Sequence, residues 1–232
     1  MKLALIGYGA MGKLVANLAS AAGDEIGLTV TSRDASQDAA QLASALHGHD
    51  VIIDFSVSSA VLRNIEACAR AGVPLVEGTT GWTNDEAEVQ RMVAERKGAL
   101  VYGANFSIGV NVFYRIVSHA ARLMSSLGQY QTFMEEEHHS RKRDAPSGTA
   151  LKLKDLIAEH IKTEIPIASV RAGYIPGTHQ VGFDSPADQI RLTHLARSRE
   201  GFAAGALLAA RWIIGRKGMF EFSNVIDEII KK

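Results

Sequence analysis

The chain has 232 residues, with 25 Lys+Arg against 25 Asp+Glu and 47% hydrophobic residues. That composition suits an ordinary globular protein of one large or two modest domains. A formal net charge of zero lacks the basic excess of bulk nucleic-acid binders. The single cysteine, Cys68, cannot form an internal disulfide, which points to a reducing compartment. Glycines cut the N-terminal apolar run after Ile6, so no secretory signal is expected. No stretch approaches the roughly 20 apolar residues of a membrane span. The expectation is a cytoplasmic protein with no nucleic-acid or membrane partner.

The first hundred residues alternate short apolar runs with helical patterns. "KLALIG" reads as a buried strand and residues 11–22 as a helix. "EIGLTVTS" is a second strand, followed by a short helix over 38–46. "DVIIDFS" is a third, followed by a helix over 58–71. "VPLVEGTT" is a fourth, followed by a helix over 85–97, and "ALVYGANF" is a fifth. Apolar strands alternating with amphipathic helices imply βαβ units and a parallel sheet. The fold class is therefore α/β, with an N-terminal Rossmann-like dinucleotide-binding domain.

After Phe106 the pattern changes. A long helix is expected over 109–127, then the strand "QYQTFMEEEHH", a basic loop, and a helix over 147–162. "ASVRAGYIPGTHQVGFDS" and "DQIRLTHLARS" alternate polar and apolar residues, as in mixed or antiparallel sheet with one covered face. "FAAGALLAARWIIG" is helical and apolar on most sides, so it should be well buried. Two domains follow. Residues 1–106 with 200–232 form the dinucleotide-binding domain, and 107–199 form a smaller α+β domain for substrate and oligomerisation.

"IGYGAMG" places Gly7, Gly9 and Gly12 in a G-x-G-x-x-G between the first strand and the first helix. Gly7 permits the tight turn, Gly9 lets a pyrophosphate approach the backbone, and Gly12 lets helix and strand pack closely. Tyr8, Ala10 and Met11 complete the loop, and the helix N-terminus offers free N–H groups to phosphate. An acid that binds the ribose diol of NAD is expected at the end of the second strand. Here it reads Thr31-Ser32-Arg33. The Ser32 hydroxyl and the Arg33 cation suit a 2′-phosphate, so NADPH should be accepted at least as well as NADH. "EGTTGW", with Gly78, Thr79 and Thr80, follows the fourth strand. "GANFSIGVN", with Gly103, Ala104, Asn105 and Phe106, follows the fifth. Their small residues would let backbone approach a nicotinamide ring; taken alone, both are ordinary βα turns.

"EEHHSRKRDAPSGTA", residues 136–150, concentrates chemistry. A strand ending at His138-His139 throws the two rings to opposite sides. Lys142 is close enough in the chain to share the first ring's pocket. Pro146-Ser147-Gly148-Thr149 reads as a capped helix start whose N–H groups can receive a carboxylate. No third ligand is spaced to support a zinc site, so no metal is expected. No aromatic interleaving accompanies the cations, as a nucleic-acid patch would show. On local grounds, a solvated loop with a capped helix and a catalytic segment are about evenly matched. Glu135, Glu136 and Glu137 read as a solvated strand end, Trp82 as packing beside a loop, and Cys68 as an inert buried thiol.

"EEHHSRKRDAPSGTALKL" resembles the signature of the dihydrodipicolinate reductases, also named 4-hydroxy-tetrahydrodipicolinate reductases. Every fixed position of the pattern E-x-H-H-x-x-K-x-D-x-P-S-G-T-A is present. "EGTTG", "ANFSIGVN" and "DQIRLTHLARSREGFAAGALLAARWI" resemble the same family, so the likeness covers nearly the whole chain. It implies nicotinamide-dependent reduction of 4-hydroxy-tetrahydrodipicolinate to tetrahydrodipicolinate, on the diaminopimelate route to lysine. It further implies a homotetramer assembled through the sheets of the second domain. His138 matches the general acid/base, Lys142 the proton donor, and His139 a substrate-contacting residue. Gly148 and Thr149 match the carboxylate-binding pair. Gly7 to Gly12, Gly78 to Thr80 and Gly103 to Phe106 match the cofactor loops. Thr31-Ser32-Arg33 departs from members with an acid there.

Overall fold

A computed structural model gives the fold and describes residues 1–231. In chain order, the N-terminal stretch runs β1 (Lys2–Ile6), α1 (Ala10–Ala21), β2 (Glu25–Val30), α2 (Ala39–Leu46), β3 (Val51–Asp54), α3 (Val61–Ala71), β4 (Leu75–Glu77), α4 (Glu86–Glu95) and β5 (Ala99–Tyr102). Then come α5 (Ile108–Met124), β6 (Gln131–His138), α6 (Gly148–Ala158), β7 (Ile167–Arg171), β8 (Thr178–Asp184) and β9 (Gln189–Leu195). The chain ends in α7 (Glu200–Ile213), β10 (Gly218–Glu221) and α8 (Phe222–Ile230). β10 carries no strong periodic signal in sequence, being four residues long and following the charged stretch Arg216-Lys217, whereas α8 is amphipathic and buries Phe222, Val225 and Ile226.

The chain divides into two compact units, Met1–Ile108 together with the segment from Glu200 onward, and Gly109–Arg199. In the first, six parallel strands form one sheet in the order β10-β5-β4-β3-β1-β2. Leu3, Leu5, Val51 and Ile53 pack on one face, against α1 and α7. Ala4, Ile6, Ile52 and Leu75 pack on the other, against α2, α3 and α4. Successive strand residues thus meet different helices, which is why β1 and β3 read as unbroken apolar runs. The strand order reverses between β1 and β3, and open α/β sheets receive ligands at the carboxyl ends of such a switch point.

The second unit is a four-stranded sheet in the order β7-β6-β8-β9. β6 runs parallel to β7 and antiparallel to β8, so the sheet is mixed. One face is covered by α5 and α6 through Phe113, Val117, Ala121, Leu153 and Ile157 packed on Met134, Val181 and Phe183. The burial of β6 alternates with period two, placing Thr132, Met134, Glu136 and His138 on that covered face.

Candidate active site

The three glycines of the first loop divide their work as the spacing predicts. Gly7 has φ +86°, and a Cβ there would meet the Phe55 carbonyl oxygen at 2.2 Å. A Cβ on Gly12 would stand 2.0 Å from the Gly7 oxygen, so only glycine lets α1 pack this close to the turn. Gly9 has nothing within 4 Å of a notional Cβ. It is the N-cap of α1 and provides no side-chain cap, which leaves the first-turn amides of the helix for a ligand. This cradle opens into a cleft of about 530 Å³ that also takes in Ala10, Met11, Gly78, Thr79 and Thr80. The residues present therefore fit a dinucleotide pyrophosphate.

The cleft also includes Phe55, Ser56, Val57 and Ser58, the segment after β3, which the sequence reading did not single out. Its signal was the polar break in "DFS" at a strand end. Trp82 packs at 7% exposure and donates from Nε1 to the Thr79 carbonyl at 2.8 Å, pinning that loop. At the end of β2, Asp34 turns back and accepts from the Thr31 amide (2.8 Å) and hydroxyl (3.2 Å). Ser32 and Arg33 stand exposed there. After β5, Gly103, Ala104 and Asn105 are partly or fully exposed, whereas the Phe106 ring is buried in the core between Phe55 and Phe222. Phe106 can offer only backbone to a ligand.

In the second unit, His138 closes β6 at 8% exposure, and its Nδ1 faces the Glu136 carboxylate. Glu136 is 1% exposed, and its other oxygen accepts from Arg171 at 2.5 Å. The expectation of a solvated acidic strand end is thus corrected. The pleat sends Glu135 and Glu137 to the open face and turns Glu136 under the helices with His138. Burial pushes the Glu136 carboxyl up, but Arg171, Ser169 and His138 together hold it below its ordinary range. Burial lowers His138, and Lys142 and Arg171 add to this against the pull of Glu136, so the ring is neutral near pH 7. A carboxylate at Nδ1 fixes the ring proton there and leaves Nε2 as the reactive nitrogen. Gly177 keeps Nε2 accessible, since a Cβ at that position would lie 3.1 Å from it.

His179 joins this group because Glu136 and His179 are register partners on β6 and β8. Its ring stands edge-on to His138 with centroids 5.0 Å apart. Burial, then the neighbouring His138, brings its pKa down to about 4. The Ser147 hydroxyl accepts from the Ala150 amide as cap of α6, and it lies 3.0 Å from His179 Nε2. Lys142 pairs with Asp144 at 2.8 Å. The Asp144 carboxylate also receives the Gly148 amide and is held low, chiefly by Lys142. A carboxylate of the protein's own thus occupies the cation and helix start that the sequence assigned to a substrate carboxylate. Gly148 has open space about it, and Thr149 shares a hydrogen bond with Tyr114. His139 is half-buried beyond the strand end.

Two family models match the chain: "Dihydrodipicolinate reductase, N-terminus" over residues 1–106, and "Dihydrodipicolinate reductase, C-terminus" over 109–226. The 4-hydroxy-tetrahydrodipicolinate reductase of Christiangramia forsetii is 36% identical, with 100% of both chains covered. That of Archaeoglobus fulgidus is 35% identical over 98% of this chain and 100% of its own. The chain belongs to the dihydrodipicolinate reductase family. A dipicolinate-bound dihydrodipicolinate reductase from Paenisporosarcina sp. TG-14 shares the fold, with a TM-score of 0.77 and 22% identity over 97% of this chain and 99% of that one.

As a member of that family, the chain is a nicotinamide-dependent oxidoreductase with a Rossmann-like domain. The residues assigned to the cofactor from sequence all lie in its first unit, and His138, His139, Lys142, Gly148 and Thr149 all lie in its second. One grouping escaped the sequence: Glu136, His138 and His179 bring three possible metal-ligand atoms within 4.8 Å of one another. Arg171 and Ser147 already engage two of the three residues, and Arg171 and Lys142 supply positive charge. That charge suits an anionic substrate better than a dication. His194 packs against Phe113 with centroids 5.8 Å apart, as a core partner does, and Arg199 is exposed. Among the described residues no helix is long and apolar enough to cross a membrane.

Proposed function

We propose that this chain reduces 4-hydroxy-tetrahydrodipicolinate to tetrahydrodipicolinate on the diaminopimelate route to lysine, in the cytoplasm. The observation that carries the reading is the His138 ring, held at Nδ1 by Glu136 and open at Nε2, beside the cations Lys142 and Arg171. The first unit is the dinucleotide-binding domain, and the second binds substrate. A bound nicotinamide supplies the hydride. Lys142, His139 and the α6 start at Gly148 and Thr149 bind the substrate carboxylates, with the Asp144 carboxylate giving way to them. The C4 hydroxyl leaves as water to give a conjugated imine, and hydride addition at its C4 leaves an electron-rich enamine that must take a proton. His138 is neutral at rest, so that proton comes from the Lys142 ammonium, relayed through Nε2.

Two finer points belong to the same reading. Ser32 and Arg33 read the 2′-phosphate of NADPH; Asp34 being folded back on Thr31 supports this, since no acid then projects toward a ribose diol. The protein is a homotetramer joined through the open face of the second sheet. That face carries Val170 at 46% and Leu195 at 59% exposure, in one row with Glu137 and Thr178.

The test is a coupled assay. Pyruvate and aspartate semialdehyde are condensed by the preceding synthase, and loss of NADPH or NADH absorbance is followed. Oxidation that requires both synthase and this protein is the expected result. Folded protein that binds NADPH yet oxidises none would overturn the reading in favour of a cofactor-sensing role.

A further inference from the structure

Two carboxyls lie beneath the cofactor cleft without a place in the chemistry above. Asp54 ends β3 and Glu77 ends β4, and they are register partners on adjacent strands. They are 0% and 1% exposed. Glu77 Oε2 is buried with no hydrogen-bond partner, beside a second buried carboxyl, a setting that favours one retained proton over two adjacent anions. Burial, and then the charge of Asp54, holds Glu77 well above the ordinary carboxylate range, and burial raises Asp54 as well.

Both carboxyls hold the loops that line the cleft. Asp54 Oδ1 accepts from the Ser56 amide at 2.8 Å, and Glu77 Oε1 accepts from the Thr79 amide at 2.7 Å. The Thr79 hydroxyl joins the two loops, accepting from the Ser56 amide at 3.0 Å and reaching Asp54 Oδ1 at 3.5 Å. On α3, Asn64 Nδ2 donates to Asp54 Oδ2 at 2.7 Å, and Asn64 Oδ1 accepts from Arg63 at 2.9 Å. Arg63 also donates to the Ala35 carbonyl at 2.8 Å, in the segment after β2. The remaining titratable neighbours are the buried Cys68 thiol on α3, raised by burial and by both carboxyls, and Tyr102 beside Glu77 on β5, whose hydroxyl is engaged with Glu86. Among the described residues no lysine or arginine touches either carboxyl, so nothing there would neutralise a second negative charge.

We propose that Asp54 and Glu77 share one proton and act as the positioning pair of the cofactor cleft, holding Ser56 and Thr79 in the form that accepts a nicotinamide cofactor. Loss of the proton places two buried anions side by side and releases both loops. The idea rests on the cofactor-binding reading above and adds a cause of alkaline inactivation to it.

Dissociation constants for NADH and NADPH, measured by fluorescence from about pH 6 to about pH 10, test the pair. The wild type is expected to lose affinity by about tenfold per pH unit once the shared proton is lost. Glu77→Gln keeps the acceptor for the Thr79 amide, offers Asp54 a donor, and has no proton to lose. Its affinity, whatever its value near neutrality, should stay flat above it. Asp54→Asn sets an amide donor against that of Asn64 and should weaken binding at every pH; its fold is checked by circular dichroism. An alkaline loss in Glu77→Gln equal to that of wild type overturns the proposal, as does a wild type with no alkaline loss. Folded wild type that binds neither cofactor at any pH overturns the reductase reading, and the proposal falls with it.

Discussion

Glu136→Gln keeps the volume and a hydrogen-bonding group behind His138 but removes the charge. A carboxylate about 4 Å from an imidazolium is worth roughly 4 kcal/mol at an effective dielectric near 20, an upper bound for this pair. Losing that attraction lowers the His138 pKa further. The sign is fixed: the charged ring loses its counter-ion while Arg171 and Lys142, both of which lower it, remain. The acid limb of kcat against pH, where neutral His138 becomes protonated, should therefore move to lower pH. Turnover at neutrality should drop at least about tenfold, because glutamine no longer dictates which ring nitrogen carries the proton. Initial rates in the coupled assay from about pH 5 to about pH 9 give both quantities. A limb that stays put with kcat within about twofold of wild type would refute the assignment of Glu136 as the residue that orients His138.

His138→Gln and Lys142→Ala should each lower kcat by roughly 10²–10⁴-fold, the scale for losing a general acid, with NADPH affinity unchanged by titration. Arg33→Ala should reduce kcat/KM for NADPH relative to NADH by about tenfold; an unchanged ratio removes Arg33 as a phosphate reader. Gly177→Ala combines strain at φ +148° with a methyl against His138 Nε2, and should cost kcat while leaving cofactor binding intact. His179, lowered from 6.5 to about 4 by burial, contributes stability that is present above its ordinary pKa and lost as pH falls toward about 4. The loss is about 3 kcal/mol. Thermal melts should show the decline, and His179→Gln should flatten it; equal slopes would contradict the buried neutral ring.

Much of this was legible in sequence because local chemistry dictates it. Gly7, Gly9 and Gly12 announced a turn, an open cradle and a close contact, and each makes the one its position required. Residues 146–149 read as a capped helix start with Ser147 or Thr149 as the cap, and Ser147 is the one. The failures concern partners brought from afar. His179 meets His138 only because β8 pairs with β6 in one register, which nothing in either strand's sequence fixes. Asp54 and Glu77 meet through the parallel pairing of β3 and β4, and in sequence each is a lone acid ending an apolar run. Glu136 is a different case. Period-two reading of Thr132, Met134, Glu136 and His138 would have put it on the covered face, but three consecutive acids drew attention to charge instead of phase. For β10, a four-residue strand after Arg216-Lys217 is too short for periodicity to register, whereas Phe222, Val225 and Ile226 of α8 do share one helical face.

The measurement that bears most directly on the account follows the hydride itself. Purified protein is given synthase-generated substrate and NADPH deuterated at nicotinamide C4, and the ring product is read by mass spectrometry and NMR. The account predicts one deuterium, at ring C4, formed by wild type and nearly absent from His138→Gln at equal time. Product carrying no deuterium, or deuterium at another ring carbon, would contradict it.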